Sequence, residues 1–285
     1  MANRKLLRER LASGSTVWVA GVYDALSARI AQDAGFDAVM TGGYGITATQ
    51  LGMPDFELLT LTENAAVVSR VSRILSIPVI ADIDTGYGNV INVLRAIGEF
   101  RAAGAQAVIM EDQVSPKRCP VGVSVTELIP VDEATAKIRA AKDAAGDELI
   151  VIARTDAFDP AEAMERAKAY REAGADMIQP VSKTFSSIDE LVRLRKECGP
   201  LSLQLLSWLE RLTKAEVESV AAIATYPLVA LATTTAALTA NFTSLMATKD
   251  CASLPRERTS LADFDKFIGF SLTLESQRRF YSPRS

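Results

Sequence analysis

Ala34-Gly35-Phe36-Asp37-Ala38-Val39, Ala103-Gly104-Ala105-Gln106-Ala107-Val108 and Ala173-Gly174-Ala175-Asp176-Met177-Ile178 repeat one pattern, in which Ala-Gly closes a helical stretch and an apolar pair opens a strand. A glycine ends a helix well because it enters the left-handed region without steric cost. The three glycines lie about 70 residues apart, too far for one strand-helix unit but right for two. They are therefore alternate joints of a repeating β/α chain. Reading between them gives eight short apolar runs, at 16–20, 37–41, 77–82, 107–111, 149–154, 175–179, 201–205 and 221–226. Amphipathic stretches follow at 25–34, 61–75, 90–103, 131–144, 160–173, 188–198, 214–220 and 228–246. Strict alternation demands parallel strands with right-handed crossovers, and eight such units close into a barrel of roughly 250 residues. The expected fold is thus an α/β, (β/α)8 TIM-type barrel over 1–250, with a doubly wound open sheet as the alternative and a helical extension over 251–285.

Composition narrows the function. A net charge of -4 over 285 residues and no block of like charges leave no electrostatic footprint for nucleic acid. The uncharged stretch Ser219 to Thr248 has the length of a membrane span, but Pro227 interrupts it and Thr and Ala dominate, so it reads as a strand followed by a buried helix. The first residues alternate charge with leucine and show no signal-peptide pattern. Cys119, Cys198 and Cys251 are widely spaced and odd in number, as free thiols of a reducing compartment would be. A cytoplasmic protein is expected. The absence of histidine removes Ser-His and Cys-His catalysis and argues against zinc.

Functional groups of such a barrel stand at the C-terminal strand ends. The run Ile77-Pro78-Val79-Ile80 leads into Ala81-Asp82-Ile83-Asp84-Thr85-Gly86-Tyr87-Gly88, and strand alternation should aim Asp82 and Asp84 the same way. Like charges held so close call for a cation, and hard oxygen donors suit Mg²⁺. Other strand ends supply Thr41-Gly42-Gly43, Glu111-Asp112-Gln113 and Arg154-Thr155-Asp156. Asp82, Asp84 and Glu111 are expected to hold the cation, and Arg154 to grip a substrate carboxylate with two hydrogen bonds. The loop Ser115-Pro116-Lys117-Arg118-Cys119-Pro120-Val121-Gly122 reads as a lid over that mouth, with two cations favouring the Cys119 thiolate.

Tyr23-Asp24-Ala25-Leu26-Ser27-Ala28, Leu51-Gly52-Met53-Pro54-Asp55, the Asp82–Asn89 loop, Glu111-Asp112-Gln113, Pro116-Lys117-Arg118-Cys119 and Ala153-Arg154-Thr155-Asp156-Ala157 resemble the isocitrate lyase and phosphoenolpyruvate mutase superfamily, above all its methylisocitrate lyase-like branch. The likeness runs from about residue 15 to residue 180. It implies Mg²⁺, a small 2-oxo or 2-hydroxy acid as substrate, and a tetramer that swaps a helix between subunits. It further implies that Asp82 and Asp84 are metal-shell carboxylates and Glu111 a water-mediated metal partner. Arg154 and Asp55 become substrate-site groups, Lys117 and Cys119 the lid's catalytic pair, and the Gly42 and Gly43 backbone a carboxylate cradle.

Three departures bear on the reaction. Where family lyases follow the lid cysteine with Gly-His, this chain has Pro120-Val121; where they carry Glu after the proline of the sixth strand, it has Val181; and Gln204 stands where they place Asn. Losing one polar partner in a closed site costs a factor of ~10² in rate. The leading expectation is a Mg²⁺-dependent carbon–carbon lyase acting on a methylisocitrate- or dimethylmalate-like acid. The alternatives are phosphonate chemistry (phosphoenolpyruvate phosphonomutase or phosphonopyruvate hydrolase), oxaloacetate decarboxylation or hydrolysis, and a carboxylate-binding relative without activity. The apolar residues between Leu261 and Tyr281 are expected to dock, either on a neighbouring subunit or on their own barrel.

Overall fold

In the computed structural model, which describes residues 7–120 and 122–281, eight parallel strands close in sequence order into one barrel. They are β1 (Val17–Val22), β2 (Ala38–Thr41), β3 (Val79–Asp82), β4 (Ala107–Glu111), β5 (Ile150–Thr155), β6 (Met177–Pro180), β7 (Leu201–Gln204) and β8 (Ala221–Tyr226). Residues 1–6, Val121 and 282–285 lie outside the description. The expected joints hold: Gly35, Gly104 and Gly174 have φ of +92°, +95° and +103°.

Helices follow the strands, with α1 (Leu7–Ala12) ahead of them: α2 (Ala25–Asp33), α3 (Gly43–Leu51), α4 (Leu61–Ile74), α5 (Val90–Ala103), α6 (Val131–Ala145), α7 (Pro160–Glu172), α8 (Ile188–Cys198), α9 (Lys214–Val220) and α10 (Val229–Thr248). Their starts are chemically marked. Thr60 and Glu63, Ser187 and Glu190, and Thr213 and Glu216 form reciprocal capping boxes on α4, α8 and α9. The helix α3 is an addition, because Gly43-Tyr44-Gly45 gives no helical signal and only Gly42, without a side chain, caps it.

Side-chain alternation builds two cores. Ala38 and Met40, Ala107 and Ile109, Ile150 and Ile152, and Met177 and Ile223 point into the barrel, where Leu7 of α1 joins them. The residues between, such as Val39, Val108, Val151 and Ile178, pack outward on the helices together with Phe100 and Tyr170. The inward parity of β4, β5 and β6 ends in Glu111, Arg154 and Gln179, which pair in register as Glu111↔Arg154 and Arg154↔Gln179. A row of polar groups therefore crowns the apolar fill at the C-terminal rim. On β1 the same parity needs Gly21, since a Cβ there would stand 2.2 Å from the Pro227 carbonyl oxygen.

The chain divides into two compact units after Leu231. In the second unit the helical extension expected over 251–285 contains two helices, α11 (Leu261–Ile268) and α12 (Phe270–Phe280), because Gly269, at φ +81°, turns the chain between them. Asn241 pins a returning loop within this unit, donating to the Arg256 carbonyl at 3.1 Å and accepting from its amide at 2.9 Å. No residue of α10 is buried, contrary to the buried helix expected there, and no described helix is long and apolar enough to cross a membrane.

Candidate active site

Arg154 is locked before any ligand arrives. Its Nε and Nη2 donate to the two oxygens of Asp156, at 2.7 and 2.9 Å, and its Nη1 lies 2.9 Å from Glu111 Oε2. Asp156 is fixed in turn by the Gln113 amide, while its own backbone N–H donates to Asp112 Oδ1 at 2.9 Å. Asp112 accepts from the Tyr170 hydroxyl at 2.6 Å and pairs with Arg166 at 3.4 Å, which ties the rim to α7. A guanidinium held this way loses little freedom on gripping a carboxylate.

Lys117 reaches in from the lid. Its Nζ lies 2.6 Å from Asp84 Oδ1, 3.0 Å from Asp55 Oδ2 and 3.8 Å from Glu111 Oε1, and the residue is only 2% exposed. Burial opposes its charge, but Asp84, Glu111, Asp82 and Asp55 outweigh burial and hold it well above the ordinary lysine range. It is a fixed cation rather than a base. Burial likewise pushes Asp84 up to about 7 against the pull of Lys117, and raises Glu111 well above the usual carboxylate value against Arg154 and Lys117.

Asp82 and Asp84 do share one side of the rim, though not through strand alternation alone. The strand β3 ends at Asp82, and Asp84 is turned inward by a left-handed backbone at φ +52°. Asp82 accepts from the amides of Asp84 and Gly43, at 3.2 and 3.4 Å, and Asn64 holds its carbonyl at 2.9 Å. A Cβ on Gly43 would come within 2.9 Å of Asp84 Oδ1, so a bare backbone lets α3 start against the carboxylates.

These groups open onto a cavity of about 250 Å³. Its polar lining includes Asp55, Asp82, Lys117, Arg154, Gln179 and Gln204, together with Gly42 and Cys119. Val181, Leu206, Pro227, Leu228 and Leu231 add apolar surface to the lining. Thus the structure brings Gly42, Asp55, Asp82, Lys117, Cys119, Arg154 and Gln204 to one cavity and sets Gly43, Asp84 and Glu111 directly behind it. Gln179, the clamp role of Asp156 and the apolar lining residues join the site beyond those expected from sequence. Gln179 was within reach, since it shares the inward parity of Met177 on β6.

Among the described residues no three acidic, cysteine or histidine groups form a ready metal cage, because the Lys117 ammonium stands between Asp84, Asp55 and Glu111. The donor set nevertheless suits a hard divalent cation. Five buried carboxylates, Asp55, Asp82, Asp84, Glu111 and Asp156, face two cations, Lys117 and Arg154. Asp84 Oδ1 and Glu111 Oε2 lie buried against the Lys117 ammonium and the Arg154 guanidinium, at 2.6 and 2.9 Å, so cationic charge already gathers at these oxygens.

The sequence pattern of phosphoenolpyruvate phosphomutase matches residues 7–245. The chain belongs to this family. Within it, 2,3-dimethylmalate lyase of Eubacterium barkeri is 34% identical over 286 residues, covering 98% of each chain. Oxaloacetate decarboxylase 1 of Pseudomonas putida (strain W619) is 41% identical over 207 residues, 71% of this chain and 69% of that one. A solved 2,3-dimethylmalate lyase, a PEP mutase/isocitrate lyase superfamily member, superposes with a TM-score of 0.87 at 30% identity, covering 96% of this chain and 93% of that one. Phosphonopyruvate hydrolase, solved in complex with oxalate and Mg++, gives 0.85 at 30% identity and covers 98% and 99%. The protein is accordingly an enzyme of the phosphoenolpyruvate phosphomutase family, among lyases and mutases of a superfamily that uses Mg²⁺.

Proposed function

We propose that this enzyme is a Mg²⁺-dependent carbon–carbon lyase that cleaves a 2-hydroxy dicarboxylate bearing an alkyl group, of the 2,3-dimethylmalate kind, into a 2-oxo acid and a second carboxylate. The observation that carries the reading is Cys119, a lid thiol facing the same cavity as Arg154 and Asp82. A lyase needs an acid at that place, because the carbon released from the broken bond must take up a proton. The apolar lining residues Val181, Leu206, Leu228 and Leu231 suit an alkyl substituent. The near-full-length likeness to 2,3-dimethylmalate lyase supports the same substrate class.

Asp82, Asp84 and Glu111 would hold the magnesium, which would supply positive charge for the oxygen on the carbon that becomes the oxo group. The Arg154 guanidinium and the Gly42 and Gly43 backbone bind the adjacent carboxylate, with Gln204 on the same side. Asp55, on the cavity wall and 3.0 Å from the Lys117 ammonium, takes the hydroxyl proton as the carbon–carbon bond breaks. Lys117 steadies the negative charge that develops, and Cys119 gives its proton to the departing carbon. Replacing Cys119 by Ser is expected to lower turnover by ~10²-fold or more while leaving oxalate binding intact, measured by product NMR and calorimetry. A fully active variant overturns the assignment.

Oxaloacetate decarboxylation is the second reading, favoured by the 41% identity to oxaloacetate decarboxylase 1. It uses the same polar groups and gives the apolar lining residues no alkyl group to hold. We further infer a homotetramer in which the helices after residue 250 dock on a neighbouring subunit, since Phe242, Met246, Leu261 and Leu272 are 61, 68, 83 and 68% exposed. Three free thiols fit a cytoplasmic setting.

A further inference from the structure

Glu57 belongs to none of the groups used so far, yet it joins three loops of the rim. Its Oε1 accepts from the Thr85 hydroxyl, in the residue directly after Asp84. Its Oε2 accepts from the Ser115 hydroxyl at 2.7 Å and from the Lys117 amide at 3.1 Å, both at the root of the lid. Two residues earlier in the same loop, Asp55 holds the Lys117 ammonium at 3.0 Å. Lys117 is thus gripped at both ends by one short segment.

The backbone at Glu57 is strained. Its φ is +56°, a conformation that glycine adopts freely and a longer side chain does not. Such a residue persists where its surroundings over-determine it, and here three hydrogen bonds do so. Thr85, itself fully buried, closes the link to the loop that carries Asp84.

We propose that Glu57 is a positioning residue, a clasp that couples the Asp82–Thr85 loop to the lid root and so delivers Lys117 to the carboxylate cluster. The clasp rests on the reading of Lys117 and Asp84 as working groups of the lyase. Its geometric content, however, is testable without substrate. Removing the carboxylate frees the lid root and the Thr85 turn together, so lid protection and magnesium affinity fall in parallel.

The test is hydrogen exchange on the full-length protein and Glu57→Gly, a change that also relieves the backbone, with magnesium titrated by calorimetry. The expected result is exchange roughly tenfold faster or more across residues 113–118, unchanged exchange across 150–155, and weaker magnesium binding. Wild-type protection at 113–118, or loss spread equally over 150–155, overturns the clasp. Should Glu57→Gly not fold, Ser115→Ala removes one donor and leaves the acid: faster exchange at 113–118 is expected, and no change overturns the proposal. Absence of lyase turnover in the wild type, by contrast, would strike the proposed reaction and leave these readouts intact.

Discussion

At the scale of single residues, environment separates three thiols that composition treats alike. Cys198 is 2% exposed and burial raises its pKa, whereas Cys119 faces the cavity and Cys251 is exposed. Thiolate is the reactive form, so a thiol kept protonated in an apolar site is slow. With a disulfide reagent at neutral pH, Cys119 and Cys251 are expected to react in the native protein and Cys198 only after denaturation. Oxalate with Mg²⁺ should protect Cys119 alone. Equal reactivity of all three thiols would contradict the burial pattern. The chemistry of Cys119, Arg154 and the aspartates was legible from residue type at a strand end. The bidentate grip of Asp156 on Arg154 was not, because Asp156 stands just past the end of β5, where no local pattern announces which way its side chain turns. Lys117 likewise reads as a cation beside a thiol, whereas its ammonium is committed to Asp84 and Asp55.

At the scale of elements, the strands and most helices were legible because each carries its own period and its own stop. The glycine joints needed no tertiary information, since a left-handed helix end is a local requirement. The short helix α3 escaped for the opposite reason. Its sequence, Gly43 to Leu51, has low intrinsic helix preference, and its start abuts the Asp82 and Asp84 carboxylates, contacts invisible along the chain. Close approach of backbones was also hidden. Gly21→Ala puts a methyl against the Pro227 carbonyl, a backbone neighbour that cannot rotate away. We expect a loss of about 3 kcal/mol or more by urea unfolding, or no folded protein at all. A variant as stable as the wild type would show that the β1–β8 end is looser than described.

At the scale of the whole molecule, alternation of strands and helices dictated the closed barrel, and closure is what collects residues as far apart as Gly42 and Gln204 around one cavity. Where the C-terminal helices rest is a different matter. A surface as apolar as that of Phe242, Met246, Leu261 and Leu272 does not say from sequence whether it meets its own chain or another copy. Light scattering at micromolar concentration is expected to give a particle of about four times the 30.6 kDa chain mass. A monomeric particle would contradict the docking of those helices on a neighbour.

The reaction itself is read most directly by product NMR on the purified enzyme with 2,3-dimethylmalate, methylisocitrate, oxaloacetate and phosphonopyruvate, each with Mg²⁺ and with the metal chelated. The expected result is Mg²⁺-dependent release of pyruvate and a second carboxylate from the alkylated 2-hydroxy dicarboxylate. Silence on that acid, with turnover of oxaloacetate or phosphonopyruvate, would contradict it.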